Sequence, residues 1–327
     1  MSAEETTAVE EVRTTIDVDT DRPWAWIALA AFWGWLLARW TNDFLLPSSV
    51  AVPSDQSFFP AAPFESAAES LLATASSLGP AGFPLEFLAG LASFTAGAIP
   101  SLPSLARGAW LTIILTVGGI ALGFVLAVPL SVARVYGGRG LRWLSLSYTE
   151  LIRGTPLLAQ LFVLYFGLPL TQIIREVPGV GSGFIPGTAA LVAIIGFTIN
   201  SAAYQAEYIR SALESVDAGQ LTAARSVGLS KVDGIRYVVL PQGLRYAIPG
   251  WSNELVYLIK YSSLAAFITV RELFFRAEAI ANDTFRYTEL YVLAALFYIA
   301  LVVSASVLMN VVEERTAIPG LGGKRGA

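Results

Sequence analysis

Asn253, Glu254, Tyr257 and Lys260 stand inside an otherwise apolar stretch, and Asn200, Tyr204 and Glu207 stand at the end of another. Asn253, Tyr257 and Lys260 fall at i, i+4 and i+7, one stripe of a helix, and Asn200, Tyr204 and Glu207 repeat that spacing. An ionisable group in hydrocarbon costs on the order of 2.5–3.5 kcal/mol on insertion scales, so it usually faces a cavity or a partner. Two such stripes could line one path across a membrane. Lys260 would then face an anionic group of a solute, and Glu254 or Glu207 a cationic one. The alternatives stay open: Lys260 can snorkel or pair with a carboxylate that ties helices together, Glu207 can do the same near the inner surface, and Asn200 and Asn253 can bond across a helix interface. The sequence has no cysteine and no histidine. That removes disulfides, thiol nucleophiles, imidazole bases and the usual zinc ligands, and leaves carboxylates, Lys/Arg and hydroxyls as the only chemistry.

The elements that must hold these residues are membrane spans. A chain of 327 residues with 55% hydrophobic and 14% charged content and a mean hydropathy of +0.61 lies outside the soluble range. About six segments approach the roughly 20 residues that cross a bilayer: 24–40, 109–133, 156–173, 187–206, 247–269 and 288–311. The predicted fold class is an all-α integral membrane protein of about six transmembrane helices. Residues 1–22 hold seven acids and two arginines, a sum of −5 that leaves +1 for the rest of the chain. This tail reads as disordered and solvated, and the next segment, 23–41, as a retained anchor rather than a cleaved signal.

Arginine placement sets the orientation. The 134–153 connection carries Arg134, Arg139, Arg142 and Arg153 against Glu150, and the 207–246 connection carries Arg210, Arg225, Lys231, Arg236 and Arg245. Both are expected on the cytoplasmic side, with the acidic tail and the 314–327 tail. Residues 41–106 contain five acids and no Lys or Arg, which suits an extracellular segment over 42–106. Within it 64–78 reads as a short amphipathic helix, and the apolar run 83–99 as one that dips into the bilayer or, with the N-terminus then outside, crosses it. Gly118, Gly119 and Gly123 in the second span allow close helix approach.

Residues 219–241, GQLTAARSVGLSKVDGIRYVVLP, form a polar interruption between apolar segments. Asp217 is placed to cap a helix with Gln220 as its reciprocal partner. That helix should run to about Val227, where Gly228 supplies a left-handed terminator. Ser230 can cap a second helix that Pro241 should end or kink. Leu221, Ala224 and Val227 share one face, as do Val232, Ile235 and Val239. Two short helices at a glycine corner make a knob with apolar faces and an arginine rim, fit to sit in a groove of another protein; the other reading is an amphipathic loop on the inner leaflet.

GQLTAARSVGLS followed by VVLPQGLR resembles the EAA loop of ABC importer permeases, which docks on the ATP-hydrolysing subunit. Tyr148–Pro169, YTELIRGTPLLAQLFVLYFGLP, and Pro249–Leu264, PGWSNELVYLIKYSSL, resemble segments of permeases of the polar amino acid uptake family. The likeness spans roughly 107–316. It implies a five-span transmembrane domain over 107–313, with its coupling loop at 217–241, to which the first span and the external segment are additions. It implies an amino-acid importer permease in the plasma membrane, not an enzyme. It also implies docking residues Gly219, Gln220, Ala223, Ala224, Arg225, Gly228 and Leu229, and a zwitterionic amino acid between Lys260 and Glu254 or Glu207. The glutamate that names the loop is replaced by Thr222, so docking must rest on shape and apolar contact, or on Asp217 or Asp233. An exposed ion pair contributes only about 0–1 kcal/mol.

The expected partners are ABC ATPase subunits, a second permease subunit identical or related, an extracellular solute-binding protein and the lipid bilayer, with no nucleic acid. No phosphate loop occurs; Gly320-Leu-Gly-Gly-Lys324 has the wrong spacing. The chain is therefore expected to bind no cofactor itself and to leave ATP-Mg to the partner. Two other classes compete: an ATP-independent transporter or channel, which would carry solute alone, and a carboxylate-based lipid hydrolase, for which Glu207 and Glu214 are a poor pair beside an arginine-rich rim.

Overall fold

The computed structural model describes residues 23–47, 49–182 and 185–316. The acidic tail expected over 1–22 and most of the tail expected over 314–327 lie outside the described residues.

Among the described residues every regular element is helical. In chain order these are α1 (Pro23–Phe44), α2 (Ala62–Leu78), α3 (Phe83–Ala98), α4 (Leu102–Tyr136), α5 (Arg139–Arg153), α6 (Leu157–Phe162), α7 (Leu170–Arg175), α8 (Thr188–Ser215), α9 (Ala218–Ser226), α10 (Lys231–Gly234), α11 (Leu240–Tyr261), α12 (Leu273–Thr284) and α13 (Tyr287–Thr316). Three stretches are long and apolar enough to cross a membrane: the run Ala62–Tyr136, which ends in α4, then α8 and α13. The helices α1 and α11 match the expected spans 24–40 and 247–269 in position, with a 3₁₀ extension, Ser262–Ile268, completing the latter.

The span expected over 156–173 is not one helix. After α6 the backbone takes a π-helical turn, Val163–Gly167, and then becomes extended at Leu168 (φ −114°, ψ 152°). The cause is Pro169, which disfavours the helical region for the residue before it. The apolar helix Leu157–Gly167 is thus about 16 Å long at 1.5 Å per residue, short of the roughly 30 Å hydrocarbon core. The 134–153 connection is likewise more than a loop. Most of it is α5, tied down by Ser145 Oγ donating to the Leu130 carbonyl (2.8 Å) and Tyr148 OH donating to the Ile199 carbonyl (2.7 Å). The helix α12 begins on Glu272, whose carboxylate accepts from the N–H groups of Phe274 and Phe275, both at 2.8 Å.

The chain divides into two compact units. Of the described residues, one unit comprises Ile114–Ile268 and 301–316, and the other comprises 23–113 and Thr269–Ala300. The first holds a core in which Ala127 of α4, Ala206, Ile209, Ala212 and Leu213 of α8, and Ala247 of α11 are buried together. Glycine permits the close approaches. A Cβ at Gly119 would lie 2.7 Å from Phe197 Cβ, and one at Gly123 would lie 2.8 Å from Gln205 Nε2, whereas Gly118 meets Ile194 at an ordinary 3.4 Å. Gly119 and Gly123, rather than Gly118, set the distance between α4 and α8.

In the second unit α2 and α3 pack against each other through alanines, with Ala68, Ala75, Ala89 and Ala96 all buried. The link between the helices is so tight that a Cβ at Gly82 would lie 2.3 Å from the Ala75 carbonyl oxygen. The helix expected over 64–78 is therefore present as α2. The 16 residues of α3 reach about 24 Å, less than a full crossing.

Candidate coupling and permeation sites

The corner between α9 and α10 follows the capping chemistry of its sequence. The Gly219 N–H donates to Asp217 Oδ1 at 2.6 Å, while Gln220 makes no return side-chain bond among the described residues. The helix ends at Ser226, and Gly228 takes φ +93°. The Leu229 N–H then reaches back to the Ala224 carbonyl (3.2 Å) and the Gly228 N–H to that of Arg225 (3.1 Å), satisfying carbonyls the helix end would strand. Ser230 closes the second start reciprocally: its Oγ accepts from the Asp233 N–H at 3.1 Å and donates to Asp233 Oδ2 at 2.5 Å. The reciprocal pair of bonds forms between Ser230 and Asp233, not between Asp217 and Gln220.

Pro241 does not end the second helix. The residues Ile235–Val239 form a π-helical turn, and the chain runs on into α11. A proline lacks the N–H that an α-helical register would use, and the wider π turn accommodates that loss without breaking the rod. The knob is thus continuous with α11.

The two apolar faces divide between inside and outside. Ala224, Ile235 and Val239 are buried, and Leu221 packs so closely on α10 that a Cβ at Gly234 would lie 2.8 Å from Leu221 Cδ1. Val239, with Leu221 beside it, joins the core formed by α4, α8 and α11. Val227, Val232 and Tyr237 point outward, 80%, 71% and 62% exposed. Of the seven expected docking residues, Gly219, Gln220, Ala223, Arg225 and Gly228 are exposed, Leu229 is half-buried, and Ala224 is an interior residue. Thr222 is exposed and bonds only weakly to the Ala218 carbonyl, at 3.4 Å.

From the sequence, Lys231 is only one of the basic residues of the 207–246 connection. Its Nζ donates to the Tyr136 carbonyl at 2.9 Å, where α4 ends. A cation on the last carbonyls of a 35-residue helix satisfies an open acceptor and complements the helix dipole. No local pattern announces this contact, because the partners are 95 residues apart.

The two polar stripes are treated differently by the fold. Asn253, Tyr257 and Lys260 share an exposed face of α11, with the Lys260 ammonium 5.6 Å from the Tyr257 ring centre. Glu254, about 120° round the helix from Lys260, is 4% exposed and hydrogen-bonded by Ser201 of α8. The structure therefore does not bring Lys260 and Glu254 together as two ends of one binding site. On α8, Asn200 is buried and its Nδ2 donates to Gln160 Oε1 at 3.1 Å, and Tyr204 carries the Arg153 guanidinium 5.4 Å from its ring centre. Glu207 sits in an ionic ladder with Arg210, whose Nε donates to it at 2.9 Å, and Arg153 at 4.0 Å; Arg210 also bonds Glu214 at 2.5 Å. These contacts tie α5, α6 and α8 together. Gln205 adds a further tie that the polar stripes did not include: it donates to Ser201 Oγ and to the Ile120 carbonyl, and accepts from the Trp251 indole N–H.

Comparison with known proteins follows the same residues. Residues 119–318 match the family model described as "binding-protein-dependent transport system inner membrane component". The probable amino-acid ABC transporter permease YckA of Bacillus subtilis (strain 168) is 42% identical over 67% of this chain and 92% of its own length. The glutamine transport system permease GlnP of Escherichia coli (strain K12) is 35% identical over 67% of this chain and 95% of its own. A crystal structure of an amino acid ABC transporter with histidines superposes with a TM-score of 0.57 at 30% identity, covering 67% of this chain and 97% of that one.

Proposed function

The chain belongs to the binding-protein-dependent transport system inner membrane components, as the multi-pass permease subunit and not the ATPase of an amino-acid ABC importer, and we propose that it is driven through the corner at Gly228. The observation that carries this reading is a rigid, capped helix pair that shows Val227, Val232 and Tyr237 outward while its inner side joins the core of α4, α8 and α11. A load on the knob reaches α11 through the unbroken run from Lys231, and α4 through Lys231 and the Tyr136 carbonyl. Docking of the ATPase then biases the equilibrium between outward-open and inward-open states, because a partner shifts such an equilibrium only by binding the two states differently.

The remaining assembly follows from the family. An ATPase pair supplies ATP hydrolysis with its own magnesium, a second permease subunit completes the pathway, and an extracellular binding protein delivers the solute. The arginine-rich 134–153 and 207–246 connections support a cytoplasmic side for both, and with them for the two termini. The exposed stripe of Asn253, Tyr257 and Lys260 lines the pathway. Asn200, Tyr204 and Glu254 hold the helices that carry it. Relatives named for glutamine support a polar amino acid as cargo.

Proteoliposomes containing the chain, its ATPase and its binding protein should accumulate labelled amino acid only with ATP inside. Uptake by the chain alone, at the same rate and without ATP, would instead establish an ATP-independent transporter.

A further inference from the structure

We infer that the segment preceding the family domain, together with residues around Arg286 of that domain, builds an external binding site for a zwitterionic amino acid, in a cavity of about 550 Å³ whose walls include Asp55, Ser101, Ser104, Arg107, Thr284 and Arg286. The inference rests on the amino-acid importer reading above and adds a place where the solute first meets this chain.

The site is held by a buried scaffold. Arg39 is 1% exposed. It pairs with Asp43 at 2.7 Å, donates to the Gln56 carbonyl at 2.7 Å and to that of Pro53 at 3.3 Å, and lies 5.2 Å from the Phe58 ring centre. Asn42 clasps Val52 through both its amide atoms, and the Trp40 indole N–H donates to the Ala106 carbonyl at 2.8 Å. The loop carrying Asp55 is therefore fixed against α1 by side-chain bonds on both sides of it. Asp43 is shared: its Oδ2 also accepts from Arg107 Nε at 3.2 Å, which orients that guanidinium.

The charges at the cavity keep binding capacity in reserve. Arg107 and Arg286 each use Nε on an acid, Asp43 and Glu289 respectively, and the Nη groups of both have no partner among the described residues. Two guanidinium ends with unused donors suit a carboxylate, which takes paired N–H bonds from each. Asp55 has no ion-pair partner among the described residues and is the one acid of the lining, so it suits the ammonium of the same molecule. Ser101, Ser104 and Thr284 add hydroxyls to the lining. An acid and two arginines in one lining, with room for a small polar molecule and water, suit an α-amino acid better than a simple anion.

Gly97 makes the site testable without touching the scaffold. The Arg286 guanidinium lies so close to the backbone there that a Cβ at Gly97 would fall 1.6 Å from Nη2. Gly97→Ala must therefore move Arg286 out of place, and Asp55→Asn removes the other pole at an exposed position.

The test is equilibrium binding of twenty labelled L-amino acids, one at a time, to the intact permease–ATPase complex in nanodiscs without binding protein. At least one should bind, with one equivalent per chain lost in Gly97→Ala and the affinity lowered about tenfold in Asp55→Asn, as for one lost charge-assisted bond. The matching α-keto acid, which lacks the ammonium, should compete poorly in wild type and equally well in Asp55→Asn. Unchanged stoichiometry and affinity in both variants, or no binding by a complex that still transports, would overturn this site and leave the importer reading intact. Uptake of none of the twenty would overturn both.

Discussion

Replacing Gly228 isolates the backbone of the coupling corner from everything around it. Its φ is +93°, and a Cβ built there meets nothing within 4 Å, so no side-chain clash accompanies the substitution. The cost is conformational: a residue with a Cβ held in the left-handed region loses about 1–2 kcal/mol, and a β-branched one falls toward the upper end of the roughly 1–3 kcal/mol seen for strained residues. The core below the corner, with Ile209, Leu213 and Val239 buried, is untouched. Insertion and folding should therefore survive, while the corner geometry becomes about 5–30 times less populated. Docking affinity falls by the same factor when only that geometry fits the ATPase groove. Titrating the reconstituted permease with its ATPase, alongside ATP-driven uptake, reads this directly. The order should be Gly228, then Asn, then Ala, then Val, because asparagine tolerates the left-handed region best of the three. Gly228→Val with undiminished ATPase affinity and uptake would refute the assignment of coupling to this corner.

Lys231→Ala should lower uptake per ATP hydrolysed with little change in ATPase binding, since it cuts the bond to the Tyr136 carbonyl, and Lys231→Arg should restore part of it; coupled ATPase and transport assays decide. Thr222→Glu, which returns an acid to an exposed site, should tighten ATPase binding by no more than about 1 kcal/mol and lose that gain in high salt. Glu272→Ala should destabilise the protein by roughly 2–4 kcal/mol, because two N–H groups of α12 and the Tyr298 hydroxyl lose their acceptor together. Its thermal midpoint in detergent should fall accordingly. Gly119→Val should lower the midpoint as well, by forcing α4 away from Phe197.

Local chemistry was legible wherever it is complete within a few residues. Asp217, Gly228 and Ser230 act as the caps and terminator their types require, because a cap needs only a side chain and the N–H groups one turn away. The apolar runs at 23–44, 102–136, 188–215 and 287–316 became helices for the same reason, since in lipid each must satisfy its own backbone. Pro241 misled because its missing donor can be absorbed by a π turn as readily as by a kink, and only the packing of Val239 in the core selects between them. The 156–173 run misled in the other direction: its hydropathy is continuous, yet Pro169 breaks it.

The sequence by itself determined the class of the protein, the family it belongs to, the absence of a phosphate loop and the position of the glycine corner at Gly228, all properties of composition or of short contiguous motifs. Only the tertiary structure decided which face each polar residue takes. Lys260 and Glu254 are six residues apart on one helix, close in sequence yet on different sides of it. Lys231 and Tyr136, or Asp43 and Arg107, are distant in sequence yet bonded. Helical periodicity fixes the angle between side chains along one rod, but which neighbour fills each angle depends on how the rods pack, and that is a property of the whole chain.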